Sequence, residues 1–375
     1  MTEVRSVRGI PAAPTGTLTF LMTSGAVLAS IAALLVFDLW LARIDARESR
    51  LQASHLFEDG RTLLARGRTT QAVDRFASAQ ALERHNVRYG VALAEALLAN
   101  GRANEAEAQL RGVLGRAETD GPANLVMARV LAREGMPDEA KAFYHRAIYG
   151  NWSADSSGQR LHARLELIDL LVRRDAKQEL LAELLPLQET DTGSVELRRR
   201  LGHLFILAGS PGRALPLFRA LLRRDSDDGD AYAGMGEAAL LMGNFRTARA
   251  DLTLATRLLP DSGRYAAVIQ VADTALALDP TARGISRSTR YARSRAILQL
   301  TIDAACEQSA AIRQLSDSAR LLMTAPPDTS RSESTEEADR LLDLGSALWA
   351  KVESRCGIGN SPVARAVALI QEKLS

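Results

Sequence analysis

Five histidines and two cysteines are the residues of this chain best suited to metal, nucleophilic or redox chemistry, and their spacing permits little of it. His55, His85, His145, His162 and His203 are scattered, and no two stand four apart on one helix, as a metal pair would require. Cys306 and Cys356 form no CxxC motif, which excludes a zinc ribbon or a haem-attachment site on local spacing. Gly234 and Gly236 fall inside a helical pattern, with no strand before them, so no phosphate-cradling loop is built there. Asp227 and Asp228 sit at a junction between helices and read as solvated loop. Asn151–Trp152–Ser153 matches a glycosylation acceptor, a match of little weight in a chain that reads as bacterial. The expectation is a protein with no catalytic residue, no cofactor and no metal, and hence not an enzyme.

The cysteines retain one use. Two apolar-periodic stretches, Arg287–Met323 with a break near Ser309 and Glu336–Val352, flank a loop at Ala325–Ser334 rich in Pro, Ser, Thr and Asp. Folded back about that loop, each cysteine lies roughly 25 residues from the hinge, and equal helical rise brings the two to similar height. That geometry favours a Cys306–Cys356 disulfide over two unrelated buried thiols. Closing a loop of about 50 residues contributes on the order of 4 kcal/mol. The bond requires an oxidising compartment.

The elements that position these residues are helices in a repeating series. Gly67, Gly101 and Gly135 are spaced by 34, and Gly209 and Gly243 repeat the interval. Five residues after each comes an alanine: Ala72, Ala106, Ala140, Ala214 and Ala248. Four further on stands a large side chain: Phe76, Leu110, Tyr144, Phe218 and Leu252. Seven residues before each glycine lies a small one: Gly60, Ala94, Ala128, Gly202 and Gly236. Each position has a physical task. The small residue lets the first helix of a pair approach the second, and the glycine supplies the left-handed turn that ends that first helix. The alanine lies at the closest crossing, and the bulky residue fills the space between units.

Residues 53–86, 87–120, 121–154, 195–228 and 229–262 are the clear units, and 155–194 is a degenerate one without the marker glycine. Its helices read as Leu161–Arg173 and Lys177–Leu187. Unit 229–262 shows the pattern in full: Tyr232, Gly236, Gly243, Ala248, Leu252, Ala255 and Pro260. This series resembles the tetratricopeptide repeat, whose period and residue pattern it matches. The resemblance covers residues 53 to about 262 and implies an all-α solenoid, a right-handed superhelix with a concave inner face that binds proteins.

In that family the fifth and ninth positions of each first helix line the concave face. Here they are Phe57, Val91, Leu125, Arg199 and Ala233, and Arg61, Glu95, Arg129, His203 and Glu237. Mixed charge of this kind suits an extended or helical peptide better than a single anion. Family members that clamp the carboxylates of chaperone tails carry Lys and Asn at these positions of the first unit. Phe57 and Arg61 stand there instead, which disfavours such a partner.

The ends of the chain read differently. No charge occurs between Arg8 and Asp38, and Thr17–Phe37 is continuously apolar or small. At 1.5 Å per residue that stretch covers roughly 30 Å, the hydrocarbon thickness of a bilayer. Phe37 and Trp40 suit the far interface. The expectation is a tail at 1–16, an uncleaved transmembrane helix at 17–41, a repeat array at 42–262 and a helical C-terminal region at 263–375 that caps the array. Gly25, Ala29 and Ala33, four apart, would let the span pack closely on another membrane subunit. Basic residues on both sides (Arg5 and Arg8 before, Arg43, Arg47 and Arg50 after) leave orientation to the short tail, which favours a cytoplasmic N-terminus and a periplasmic bulk. Only four of the 47 basic residues are Lys, a skew that suggests the GC-rich genome of a bacterium, and with the expected span this makes a bacterial inner membrane the expected location. The net charge of +2, without a basic, aromatic-laced stripe, excludes nucleic acid as a partner class. Scaffold or adaptor is the leading function; an accessory subunit of a membrane enzyme, docked through its span, is the alternative.

Overall fold

The computed structural model describes residues 15–153, 156–188, 194–259, 262–306, 309–324, 333–357 and 359–374, with side chains from Leu28 onward except at 262, 333 and 334. Among the described residues the chain is all-α; the sole β feature is an isolated bridge between Asp120 and Asn151. It divides into two compact units, residues 1–170 and 171–375.

Unit 1 opens with α1 (Thr15–Ala65), followed by α2 (Thr69–Leu82), α3 (Val87–Ala99), α4 (Ala103–Leu114), α5 (Gly121–Arg133), α6 (Pro137–Tyr149) and most of α7 (Ser157–Arg173). Each helix from α1 to α6 packs on its sequence neighbour, and α3 also meets α5, the pairing a stack of helix hairpins requires. Gly67, Gly101 and Gly135 adopt φ of +74°, +78° and +78°. After each turn a backbone N–H reaches back to the end of the preceding helix: Arg68 to Leu63, Arg102 to Leu97 and Met136 to Leu131, all at 2.9 Å. Ala72, Ala106 and Ala140 are fully buried, as are Phe76 and Leu110.

The division expected near residue 41 is not made in the backbone, because α1 runs unbroken for 51 residues and its C-terminal part is the first helix of unit 53–86. Among the described residues no helix is long and apolar enough to cross a membrane. From Leu28 the helix reaches Asp38, Arg43 and Asp45 before a bilayer's thickness is covered. The transmembrane helix expected at 17–41 is therefore not supported by these residues; the side chains before Leu28, Gly25 included, lie outside the described ones.

Unit 2 comprises the end of α7, α8 (Lys177–Gln188), α9 (Val195–Leu207), α10 (Pro211–Arg224), α11 (Gly229–Leu241), α12 (Phe245–Leu258) and a 3-10 turn (Ser262–Tyr265). Then come α13 (Ala266–Leu278), α14 (Arg287–Asp303), α15 (Ala310–Thr324), α16 (Glu333–Cys356) and α17 (Pro362–Leu374). In the degenerate unit Asp175 takes the place of the marker glycine, with φ of +51°. Aspartate tolerates this region because its short polar side chain bonds locally. Phe218 is wholly buried between α9 and α11. A Cβ at Gly202 would come within 2.6 Å of its ring, and one at Gly234 closer still, so Gly234 is a packing glycine that the repeat pattern did not account for.

The C-terminal helices continue the repeat core. Ala239, Leu240, Phe245 and Ala248 of the last clear unit share one buried cluster with Ile297, Leu298, Leu348, Trp349 and Ile370. A solenoid needs its terminal apolar face covered, and these helices cover it. Cys306, in the turn after α14, is bonded to Cys356 at the end of α16, with a Cα–Cα distance of 5.6 Å. Buried Asp279 accepts from Lys373 Nζ at 2.8 Å and ties the end of α13 to α17. Ser334, expected to cap the second stretch, falls inside α16, which begins at Glu333, and the loop before it lies at 325–332, outside the described residues.

Candidate functional site

The first helices of unit 1 present a trough. Phe57, Val87, Arg88, Val91 and Glu95 line one end with Asp120 and Pro122, around about 420 Å³. The space continues, about 360 Å³ more, past Val91, Glu95, Leu125 and Arg129 to Trp152, Gln159 and His162. The fifth-position residues Phe57, Val91 and Leu125 are nearly buried and form its apolar floor. Phe57 is held by Phe76 and Tyr89, with ring centroids 5.6 and 5.1 Å away, and the Arg88 guanidinium covers its ring at 4.4 Å.

The ninth-position residues carry the charge. Arg129 is the hub: its Nε donates to Glu166 Oε2 at 2.9 Å, its Nη2 to Oε1 at 2.6 Å, and its Nη1 lies 3.4 Å from Glu95. His162 Nε2 and Tyr144 Oη also address the Glu166 carboxylate, at 2.9 and 3.2 Å. Burial pushes the Glu166 carboxyl up, but the Arg129 bonds and charge, with His162 and Tyr144 behind them, outweigh it and hold the group below its ordinary value. Arg129, expected to line the groove, does so while its guanidinium is committed to Glu166, and Glu95 remains about half exposed. Arg61 turns outward to Glu58 at 3.1 Å.

Unit 2 uses the same positions otherwise. Arg199 is spent on Asp228 at 2.9 Å and Glu196 at 3.1 Å. His203 meets the Phe218 ring edge-on at 5.2 Å. Burial pushes the Glu237 carboxyl up, against the pull of His203 and Arg264. Phe57, Glu95 and Arg129 therefore come together in one trough, whereas Arg199, His203 and Glu237 are held by neighbours in unit 2. Ala29 and Ala33 lie on the exposed part of α1. Glu166, His162, Gln159 and Trp152 were not read as trough residues: the first three come from the degenerate unit, outside the 34-residue register, and Trp152 from the end of unit 121–154, beyond the first-helix positions used to find the concave face. Among the described residues no three His, Cys, Asp or Glu side chains stand ready to hold a metal.

Stacked helix hairpins with marker-glycine turns define an all-helical repeat protein. Residues 63–129 and 205–272 match the family profile described as Tetratricopeptide repeat. Among solved structures the chain is similar to YrrB, a TPR protein described as having an unusual peptide-binding site; identity is 21%, over 50% of this chain and 93% of that one, with a TM-score of 0.41. It is also similar to the C-terminal part of a TPR repeat-containing protein from Cytophaga hutchinsonii, at 12% identity over 65% and 95% of the two chains and a TM-score of 0.45. PilW, described as a widely conserved type IV pilus biogenesis factor, shares 17% identity over 58% and 98%, with a TM-score of 0.41. At these values each is a resemblance in helical architecture and nothing finer. No curated protein matches the chain.

Proposed function

We propose that the chain is a scaffold or adaptor whose unit 1 trough holds an extended segment of a partner protein. The observation that carries this is a continuous apolar floor of Phe57, Val91 and Leu125 beside a half-exposed carboxylate, Glu95, whose neighbouring cation is already bound to Glu166. Such a lining selects apolar side chains at alternate positions of an extended peptide and a Lys or Arg opposite Glu95. Phage-display selection on the full chain tests it. Enriched peptides should pair apolar residues with a basic one, and Leu125→Arg or Glu95→Arg should each weaken them at least tenfold; peptides indifferent to both changes would exclude the trough.

The adaptor works at a membrane surface, held by the N-terminal segment, with the repeat units on the periplasmic side. Supporting this are the uncharged run of residues 9–37, the exposed Leu34, Leu35, Phe37 and Trp40, and a disulfide that needs an oxidising compartment. Carbonate extraction should leave the chain in the pellet, and removal of residues 1–41 should release it.

A further inference from the structure

Helix α1 carries an apolar stripe that no other helix among the described residues covers. Leu34, Phe37, Leu41, Ile44 and Leu51 follow one another at alternating steps of three and four, with Glu48 holding the one polar place in the series. This is the seam of a coiled coil, with Leu34, Leu41 and Glu48 at a and Phe37, Ile44 and Leu51 at d. All five apolar side chains are exposed, Ile44 the least at 42%. The stripe also faces away from the repeats. Ala53 and Phe57 are the α1 residues buried in the first hairpin; Ile44, nine residues or two and a half turns before Ala53, is on the opposite side.

Lipid does not account for this face. Asp38, Arg43, Asp45, Arg47, Glu48 and Arg50 crowd the helix past the uncharged run of residues 9–37, and Ile44 and Leu51 stand among and just beyond them. A segment so charged, with apolar residues kept in register on one side, is built to meet another helix.

The charges beside the seam select that helix and its direction. In a parallel, in-register pair of α1 helices, each Glu48 enters the seam beside the second copy's Arg47, which holds the preceding g position. Two carboxylates and two guanidinium groups then alternate across the centre, and neither Arg47 nor Glu48 has another partner among the described residues. An antiparallel pair centred on the stripe would set Leu34 against Leu51 and Leu41 against Ile44. It would also place Asp38 beside Asp45 on two edges and press Glu48 onto the Phe37 ring. A single charged a position further fixes the register, since a slip of one heptad buries Glu48 against leucine.

We infer that residues 34–51 of α1 pair with the same residues of a second copy as a parallel two-stranded coiled coil. The seam spans only about two and a half heptads. Anchorage of both chains in one membrane, the reading proposed above, raises the effective concentration that holds it. The pairing uses no part of the trough.

Copper-phenanthroline oxidation of the full chain with one added cysteine, in membranes of the producing cells, tests the inference. Cys306 and Cys356 are bonded to each other, so the added residue supplies the one thiol. Ile44→Cys and Leu51→Cys, at d, should each link to a second copy at least tenfold more than Leu39→Cys or Ala46→Cys at the outer f positions. Equivalent d positions meet only when the helices are parallel. Adding Arg47→Glu to Leu51→Cys should cut linking about tenfold, because four carboxylates then share the centre. Adding Glu48→Arg as well restores the alternation with signs exchanged and should restore linking. Even linking at all four positions, none at Ile44 and Leu51, capture of a different protein there, or no rescue by the double exchange would each overturn the inference. Carbonate extraction of the same samples reports anchorage separately, and the linking pattern decides the pairing whichever way that extraction comes out.

Discussion

Both units build the same helix hairpins, yet in unit 1 the equivalent positions line a trough beside a half-exposed carboxylate, and in unit 2 they are paired or packed against neighbours. In unit 1 the fifth-position residues floor a trough and Glu95 is half exposed; in unit 2 Arg199 is tied to Asp228, and burial pushes the Glu237 carboxyl up. Unit 2 also merges its last repeat into the C-terminal helices, locked by a disulfide and by the Asp279–Lys373 pair. The repeated residues make the scaffold, and the unrepeated ones decide whether a surface is kept free or consumed by the fold.

The comparison is sharpened first where the units should agree. Phe76→Ala and Phe218→Ala remove equivalent, fully buried rings, and each should cost about 3–5 kcal/mol in its own unit by urea unfolding. Markedly unequal costs would break the idea that the two hairpin cores are built alike. Next comes a difference between them. Cys306→Ser should destabilise unit 2 by about 2–4 kcal/mol. Hydrogen exchange should show protection lost in α14–α17 and kept in α2–α6; loss in both sets would contradict a closure confined to the C-terminal core.

A smaller effect tests the hub of unit 1. Arg129→Met leaves the partly buried Glu166 without its main partner and should cost on the order of 1–3 kcal/mol at pH 7. Glu166 has a folded pKa below its ordinary 4.5, so its contribution is present above that value and is lost as pH falls through the folded one. The gap between variant and parent should therefore close in acid. The smallest effect has the opposite sign. Glu237 has a raised folded pKa, so the unfolded chain ionises first and stability falls as pH rises from the ordinary 4.5 through the folded value. Glu237→Gln should gain roughly 0.5 kcal/mol at pH 7 and nothing below pH ~4, measured by the same unfolding assay.

The glycine turns, the alanine crossings and the large wedge residues were all readable from the chain, because each acts within about one helical hairpin. Asp175 was not recognised as a turn residue, since a left-handed aspartate leaves no signature to separate it from an ordinary loop acid. Gly234 read as incidental until Phe218, sixteen positions back along the chain, was seen against it.

Spacing along the chain determined the helical class, the period and the turns, because those follow from backbone conformation and from neighbours a few residues away. Tertiary packing alone decided that Arg129 is spent on Glu166, which lies 37 residues on and out of register with the repeat. It alone left Asn124 Oδ1 buried without a donor among the described residues, because burial and pairing depend on which helices meet.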